Sequence, residues 1–378
     1  MNLGEIRERI NGLDDQLSAL LTERMRLSLD VARYKKENNL PVLDRSRERE
    51  ILTDITERAG EEYEEYLKVL FSVLFDMSKS YQIRQLTGDG ALAARIAEAR
   101  AKTPTLFPKK AVVACQGIEG AYSQQAAERL FSLPKIIYFK SFEGVFQAVQ
   151  QGLCRYGMLP IENSVHGSVL PVYDLMRDHR FYIVRGLKMS ISHSLLAKEG
   201  TEISDIREIL THEQAIGQCS QYIERLGVTA TPVANTAVAA KAVADSPQND
   251  RAAIASKKCA ELYGLRVLAD GVENNGNNFT RFICISREME IYPGANRISL
   301  VLNLPHRPGM LYSTIARFAA LGLNLTKLES RPIPGRDFEF MFYFDLDATV
   351  CSDELIRLLS HFEKTLDQFT FLGCYSDY

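Results

Sequence analysis

"IRERINGLDDQLSALLTERMRLSLDVARYKKE", Ile6 to Glu37, decides how the first part of the chain folds. Ile6, Ile10, Leu13, Leu17, Leu20, Arg24, Leu27, Val31 and Tyr34 follow one another in steps of four and three. That spacing predicts a single long helix with one apolar stripe. Arg24 is the only charge in the stripe, and a guanidinium turned inward needs a partner, because an uncompensated buried charge is strongly destabilising. Two readings of Arg24 stand side by side: an internal ion pair, with Glu48 as partner, and a bound anion. Lys35 and Arg7 flank the stripe, and Asp44, Glu48, Ser78 and Gln82 are polar positions on or beside the inward faces of the helices that follow. The two cations beyond Arg24, with the neutral donors Ser78 and Gln82, exceed what one glutamate requires. At about 1.5 Å of rise per residue, Arg7 and Arg24 stand about 25 Å apart on one helix, so one small ligand meets both only if Arg7 comes from a second chain.

Outward from this helix the pattern stays helical to residue 88. Pro41 ends the first unit, Asp44 is an N-cap for a second helix, and a third carries Tyr63, Leu67, Leu70, Leu74, Met77 and Tyr81 inward. "TGDG", Thr87 to Gly90, reads as a stop, and residues 89–110 as a short helix and linker. From Ala111 the period changes. Short apolar runs such as "AVVAC", "KIIYF", "YGMLP" and "FYIV" alternate with helical stretches, predicting a mixed α/β domain over 111–290. Residues 296–378 read as strand, helix, strand, strand, helix, strand, the α+β ferredoxin-like βαββαβ unit.

A chain of 378 residues is too long for one core and divides into several domains. Its net charge of −3, without a dense basic cluster, predicts no nucleic-acid or membrane partner. The charged, periodic start lacks an apolar signal core, so the expected location is cytoplasmic. The seven cysteines (Cys115, Cys154, Cys219, Cys259, Cys284, Cys351, Cys374) are scattered and odd in number, which reads as reduced core thiols. Six dispersed histidines never reach zinc-ligand spacing, so no metal site is expected.

Three polar turns in the α/β segment suit an anionic ligand. "GIEGAYSQQAAERL" puts Gly117, Gly120 and Ser123 between a strand and a helix. "LPIENSVHGSV" offers Asn163, Ser164, Gly167 and Ser168, and "VANTAVAAKAVA" sets Asn235 and Thr236 ahead of an Ala-rich helix. For His166 and His212, general acid and hydrogen-bonded loop residue are both open readings; Tyr122 reads as a packing aromatic. "ENNGNNFTRFICIS", Glu273 to Ser286, runs a polar loop into an apolar strand through Thr280 and Arg281.

With "ERMRL" and "DRSRE" following the first helical turns, the N-terminal segment resembles the all-helical chorismate mutase family. The resemblance implies an intertwined dimer in which Arg24, and Arg7 of a second chain, hold the carboxylates of chorismate. Lys35 and Gln82 would face the ether oxygen, Glu48 and Asp44 the ring hydroxyl, and Ser78 would assist a carboxylate. A [3,3] rearrangement needs a clamped conformer and charge stabilisation rather than a nucleophile, which cations and amides supply.

The Gly-rich turn, "PIENS" and "NNFTRF" resemble prephenate dehydratase. That family implies a two-lobed α/β domain, similar to periplasmic-binding-protein lobes, which the chain leaves near Met189 and re-enters through the "FTRF" strand. The site would lie between the lobes, with Thr280 presented to the leaving hydroxyl of prephenate and Asn163, Ser164, Thr236 and Arg281 as substrate-binding residues. For Arg281, carboxylate binding and neutralisation of a lobe interface both remain open. "HRPGML" and "LESRPIPG" resemble the ACT regulatory domain, implying phenylalanine bound between subunits by Gly309, Met310, Leu311, Glu329, Ser330 and Arg331. Met310 stands where some two-activity relatives have alanine. Together the resemblances imply a cytoplasmic, cofactor-free enzyme of phenylalanine biosynthesis with both activities, working as a homodimer or higher homo-oligomer. A non-catalytic amino-acid sensor and an arogenate-preferring dehydratase are the rival readings.

Overall fold

The computed structural model describes residues 2–38, 40, 44–87, 90–335 and 339–378; Pro41, and Gly88 and Asp89 of the expected stop, lie outside the described residues. Two compact units result. The first comprises Met1–Arg95 with Pro305–Gly322 and Cys351–Gln368; the second comprises Ile96–Leu304 with Leu323–Val350 and Phe369–Tyr378.

Helix α1 (Leu3–Glu37) runs unbroken, opened by a capping box in which Asn2 and Glu5 satisfy each other's backbone N–H groups at 2.9 and 3.0 Å. Helix α2 (Arg45–Ala59) starts at the expected cap, Asp44, which accepts from the Arg47 amide at 3.0 Å. Both pack on α3 (Glu64–Thr87). Yet the α1 stripe stays open: Leu13, Leu17 and Leu20 are 57%, 60% and 62% exposed in the single chain. A fourth helix, α4 (Ala91–Lys102), buries Leu92, Ile96 and Ala99 along one side. The short helix expected within 89–110 is thus present, and its alanine-rich run carries an i, i+4, i+7 apolar face that packs.

The α/β segment begins with β1 (Lys110–Gln116), α5 (Tyr122–Leu130), β2 (Leu133–Phe139), α6 (Phe142–Gln150), β3 (Tyr156–Asn163), β4 (Gly167–Ser168), α7 (Leu170–Asp178) and β5 (Tyr182–Ser190). It continues through β6 (Ser194–Ala197), β7 (Glu208–His212), α8 (Glu213–Gln218), α9 (Ser220–Leu226), β8 (Thr229–Val233), α10 (Thr236–Asp245), β9 (Arg251–Ala255), α11 (Lys257–Tyr263) and β10 (Arg266–Asp270) before β11 (Phe279–Ser286). Strands β6 to β10 make a separate five-stranded sheet, ordered β10-β6-β9-β7-β8. Strand β11 returns to the first sheet and pairs antiparallel with both β5 and β3, setting Thr280 opposite Met189 and Asn163. The departure at β5 and the return through "FTRF" thus match the sequence reading. Being central, β11 is buried on both faces, which explains its continuous apolar run.

The C-terminal elements are β12 (Arg297–Asn303), α12 (Met310–Ala320), β13 (Asn324–Pro332), β14 (Phe340–Asp347), α13 (Asp353–Thr365) and β15 (Gln368–Asp377), in the expected βαββαβ sequence. Their strands are ordered β13-β14-β12-β15. They do not stand apart as the 296–378 boundary expected. Strand β15 pairs in parallel with β5, Ser376 opposite Arg185 and Asp377 opposite Gly186, so one ten-stranded sheet runs through both segments. Glycine makes this seam possible: a Cβ at Gly186 would collide with the Asp377 carboxylate, and one at Gly373 with the Ile183 carbonyl. Among the described residues, no helix is long and apolar enough to cross a membrane. Six of the seven cysteines are buried thiols, Cys351 being exposed.

Candidate functional sites

Thr280 sits second in β11, where the polar loop meets the sheet, and its neighbours fix its orientation. The Asn163 amide donates to Thr280 Oγ1 at 3.0 Å and to Asn278 Oδ1 at 2.7 Å, while its own oxygen accepts from the amides of Val165 and His166, each at 3.0 Å. Ser164 ties the end of β3 to the start of β11: its hydroxyl donates to the Asn277 carbonyl at 3.0 Å and accepts from the Phe279 amide at 2.9 Å. Expected as substrate-binding groups, Asn163 and Ser164 have their hydrogen bonds engaged in holding this corner, and their side chains position Thr280. Thr280 Oγ1 accepts one bond, and among the described residues its own proton has no acceptor. A cavity of about 80 Å³ opens beside this corner, lined by His166, Gln218, Glu273, Asn274 and Asn278 among others. The Asn278 amide nitrogen is buried without a partner.

Arg281 departs from the substrate-binding expectation. Adjacent strand residues point to opposite faces, and a register shift follows at Phe282. Arg281 is therefore turned from Thr280 toward the C-terminal strands, 8% exposed. Its guanidinium meets Asp345 at 2.5 Å, the Tyr375 hydroxyl at 2.7 Å and Asp377 at 2.9 Å. Arg297 reaches the same Asp377 at 2.8 Å, and Ser299 donates to the fully buried Asp345 at 2.5 Å. Burial by itself would lower the Arg281 pKa; Tyr375, Asp345, Tyr343 and Asp377 outweigh it and hold the group protonated. These partners lie on the C-terminal strands β14 and β15, which neither of the two open readings of Arg281 named.

Of the other turns, the third matches its sequence reading and the first two depart from theirs in detail. Helix α5 has Ala121 at its N-cap with no side-chain cap, and Ser123 behind it is buried. The second turn enters the short strand β4 before α7 rather than a helix directly. Asn235 does cap α10, accepting from the Val238 amide at 2.9 Å; Thr236 follows, 9% exposed, its hydroxyl without a hydrogen bond among the described residues. His212 caps α8 through Nδ1, and burial pushes its pKa down. The His166 side chain is exposed.

A buried network escaped the sequence reading. His193, 2% exposed, contacts the Tyr122 hydroxyl at 3.3 Å and Gln218 Oε1 at 2.9 Å, and its backbone N–H donates to Glu273 at 3.0 Å. Burial lowers its pKa. Tyr122 donates to the Ser192 carbonyl at 2.6 Å, so it serves as more than a packing ring. The available signal was Glu273 at the head of the polar loop and Tyr122 in the first turn; nothing in the local pattern linked either to His193.

In the helical unit, Arg24 donates to Ser78 at 2.5 Å and lies 5.7 Å from the centre of the Phe75 ring. No carboxylate among the described residues pairs with it; Glu48, its candidate partner, pairs with Lys79 at 2.9 Å. Burial lowers the Arg24 pKa, the signature of a cation without a compensating anion. Gln82, one turn beyond Ser78 on α3, is buried with Oε1 unpartnered. Arg24, Ser78 and Gln82 thus expose two unanswered polar groups on facing helices. Lys35 is half-buried, and Arg7 is exposed near the far end of α1.

At the C-terminal elements, Gly309 adopts φ +80° at the start of α12, a conformation that favours glycine, with Met310 and Leu311 half-buried behind it. Glu329 accepts from Ser168 at 2.5 Å, and Arg331 grips Asp174 with two bonds of 2.8 Å. Both side chains are thus engaged with the α/β segment of their own chain, because β13 alternates and presents Lys327, Glu329 and Arg331 to that side. Ser330 faces solvent.

Residues 113–290 match the family model for prephenate dehydratase, and residues 6–83 that for chorismate mutase type II. Over 381 aligned residues, the chain is 30% identical to the bifunctional chorismate mutase/prephenate dehydratase of Escherichia coli strain K12, covering 98% of this chain and 95% of that one. It is 39% identical over 275 residues to arogenate dehydratase/prephenate dehydratase 2, chloroplastic, of Arabidopsis thaliana, covering 70% and 72%. Among solved structures, the prephenate dehydratase of Arthrobacter aurescens in complex with L-Phe aligns with a TM-score of 0.65 at 28% identity, covering 70% of this chain and 89% of that one.

Proposed function

Because the chain belongs to the family of bifunctional chorismate mutases/prephenate dehydratases, we propose that each half of its two-step reaction is carried by the residues described above. The enzyme rearranges chorismate to prephenate, then converts prephenate to phenylpyruvate with loss of water and CO2, in phenylalanine biosynthesis.

For the rearrangement, Arg24 and Ser78 hold one carboxylate, and Arg7 of a second copy holds the other. The open stripe of α1 supports this pairing, since its leucines need cover that the single chain does not give. Lys35 and Gln82 face the breaking C–O bond, and Glu48 with Asp44 holds the ring hydroxyl. Stabilising negative charge on the departing oxygen is the chief catalytic task.

For the dehydration, Thr280 presents its uncommitted proton to the leaving hydroxyl while Asn163 fixes its rotamer. Aromatisation supplies the driving force, so orienting the two leaving groups suffices. The uncommitted Thr280 proton is the observation that carries this assignment. Thr236 offers a free donor for a carboxylate.

The C-terminal βαββαβ elements act as an ACT-type, ferredoxin-like regulatory unit that binds phenylalanine between subunits through the Gly309–Leu311 turn. The two-sheet dehydratase segment is a periplasmic-binding-protein-like pair of lobes, and the enzyme works in the cytoplasm. The deciding experiment supplies chorismate to the purified protein and follows phenylpyruvate with and without phenylalanine. Phenylpyruvate forms, and phenylalanine suppresses it; prephenate accumulating alone would remove the dehydratase assignment, and indifference to phenylalanine would remove the regulatory one.

A further inference from the structure

Within the first compact unit, α3, α12 and α13 enclose a cavity of about 280 Å³. Lys79 of α3, Arg307 before α12, Arg317 of α12 and Lys364 of α13 all line it, with His361, against a single carboxylate, Asp76. Asp76 is already paired with Lys79 at 3.0 Å, and Lys79 also pairs with Glu48 at 2.9 Å. Arg317 has no ion pair among the described residues; its guanidinium lies 5.9 Å from the centre of the Phe362 ring. His361 Nδ1 is buried with no hydrogen-bond partner. Asp76 is thus the one carboxylate among the described lining residues, and Arg317 and His361 Nδ1 have neither ion pair nor hydrogen bond among them. Burial, with Arg317 nearby, pushes His361 down to about 4, so its ring is neutral and can donate without adding charge.

We propose that this cavity is a binding site for a small multivalent oxyanion, of the phosphate or dicarboxylate class, seated between Arg317 and His361 with Arg307 and Lys364 at its exposed mouth. Planar guanidinium donors suit such oxygens. A zwitterionic amino acid fits poorly, since its ammonium would face the cations with only the committed Asp76 to answer it. The bound anion competes with Glu48 for Lys79, so occupancy changes chorismate binding; this last step rests on the role given above to Glu48, while the binding site does not.

Isothermal titration of the full-length Arg24→Ala protein with inorganic phosphate, and separately with malonate, at constant ionic strength in chloride, tests the site away from the mutase clamp. The expected result is saturable binding that Arg317→Gln weakens at least about tenfold and Arg317→Lys weakens less, since the charge stays while the planar fork is lost. Whichever of the two anions binds more tightly identifies the class. Saturating phenylalanine does not displace it. Absence of saturable binding, equal binding by Arg317→Gln, or displacement by phenylalanine overturns the site. Should Arg317→Gln lower the melting temperature, His361→Leu is read in the same titration, with the same loss expected. In the otherwise native enzyme, the better-binding anion alters the KM for chorismate, whereas in Arg317→Gln this response is reduced; binding without any such difference refutes the coupling through Lys79 and leaves the site itself standing.

Discussion

At Thr280 the proposed chemistry rests on one hydroxyl. Thr280→Ala is expected to lower prephenate dehydration by at least about a hundredfold, within the usual range for a positioned proton donor, while Thr280→Ser keeps part of the rate and the chorismate mutase rate is unchanged. Steady-state turnover of prephenate checks this; full activity in the alanine variant excludes the role. Its neighbour acts on stability. Arg281→Met strands Asp345 and Asp377 beside Arg297 alone, and breaking a buried pair from one side costs about 3–5 kcal/mol. Denaturant unfolding should show that loss, and an unshifted midpoint would mean that Arg297 suffices. Arg24→Ala should abolish mutase turnover and spare dehydration of supplied prephenate.

At the scale of elements, α1 is a helix with its apolar side open. Replacing Leu13, Leu17 and Leu20 together by glutamate is expected to shift the protein to a lower oligomeric state in analytical ultracentrifugation and to abolish mutase activity, since Arg7 and Arg24 of different copies would no longer meet. An unchanged sedimentation coefficient would put the intermolecular contact elsewhere. Strand β13 offers a second test. Arg331 and Glu329 link it to Asp174 and Ser168, next to the turn that holds Thr280. Asp174→Ala should weaken inhibition by phenylalanine more than it weakens its binding, read as a KM and kcat comparison beside equilibrium titration.

For the whole molecule, the seam of β15 on β5 ties the C-terminal strands to the dehydratase sheet, while their helices belong to the compact unit of the mutase helices. Stability should also depend on pH through His361. Burial lowers its folded pKa from 6.5 to about 4, with Arg317 and Lys364 also opposing its protonation and Asp76 favouring it. Between those values the unfolded chain binds the proton and the folded one refuses it, so unfolding free energy falls as pH drops from about 6.5 toward 4. Melting temperatures recorded across that range should show a shallower slope for His361→Leu.

What the sequence by itself determined was everything carried by local period and capping. The steps of four and three along α1, the Asp44 cap, the change to short strands at Ala111 and the βαββαβ succession depend on neighbours a few residues apart, so they were legible. Arg24 was legible for the same reason, as one charge in an apolar stripe. The alanine-rich α4 was legible as a short helix, but its packing was not, because small residues carry a weak apolar signal. Tertiary structure alone decided the rest. Arg281 finds Asp345 and Asp377, and His193 finds Tyr122 and Gln218, across long stretches of chain whose approach no local pattern encodes. The seam of β15 on β5 depends on Gly186 and Gly373 meeting another strand, and a glycine in sequence does not say which backbone comes close.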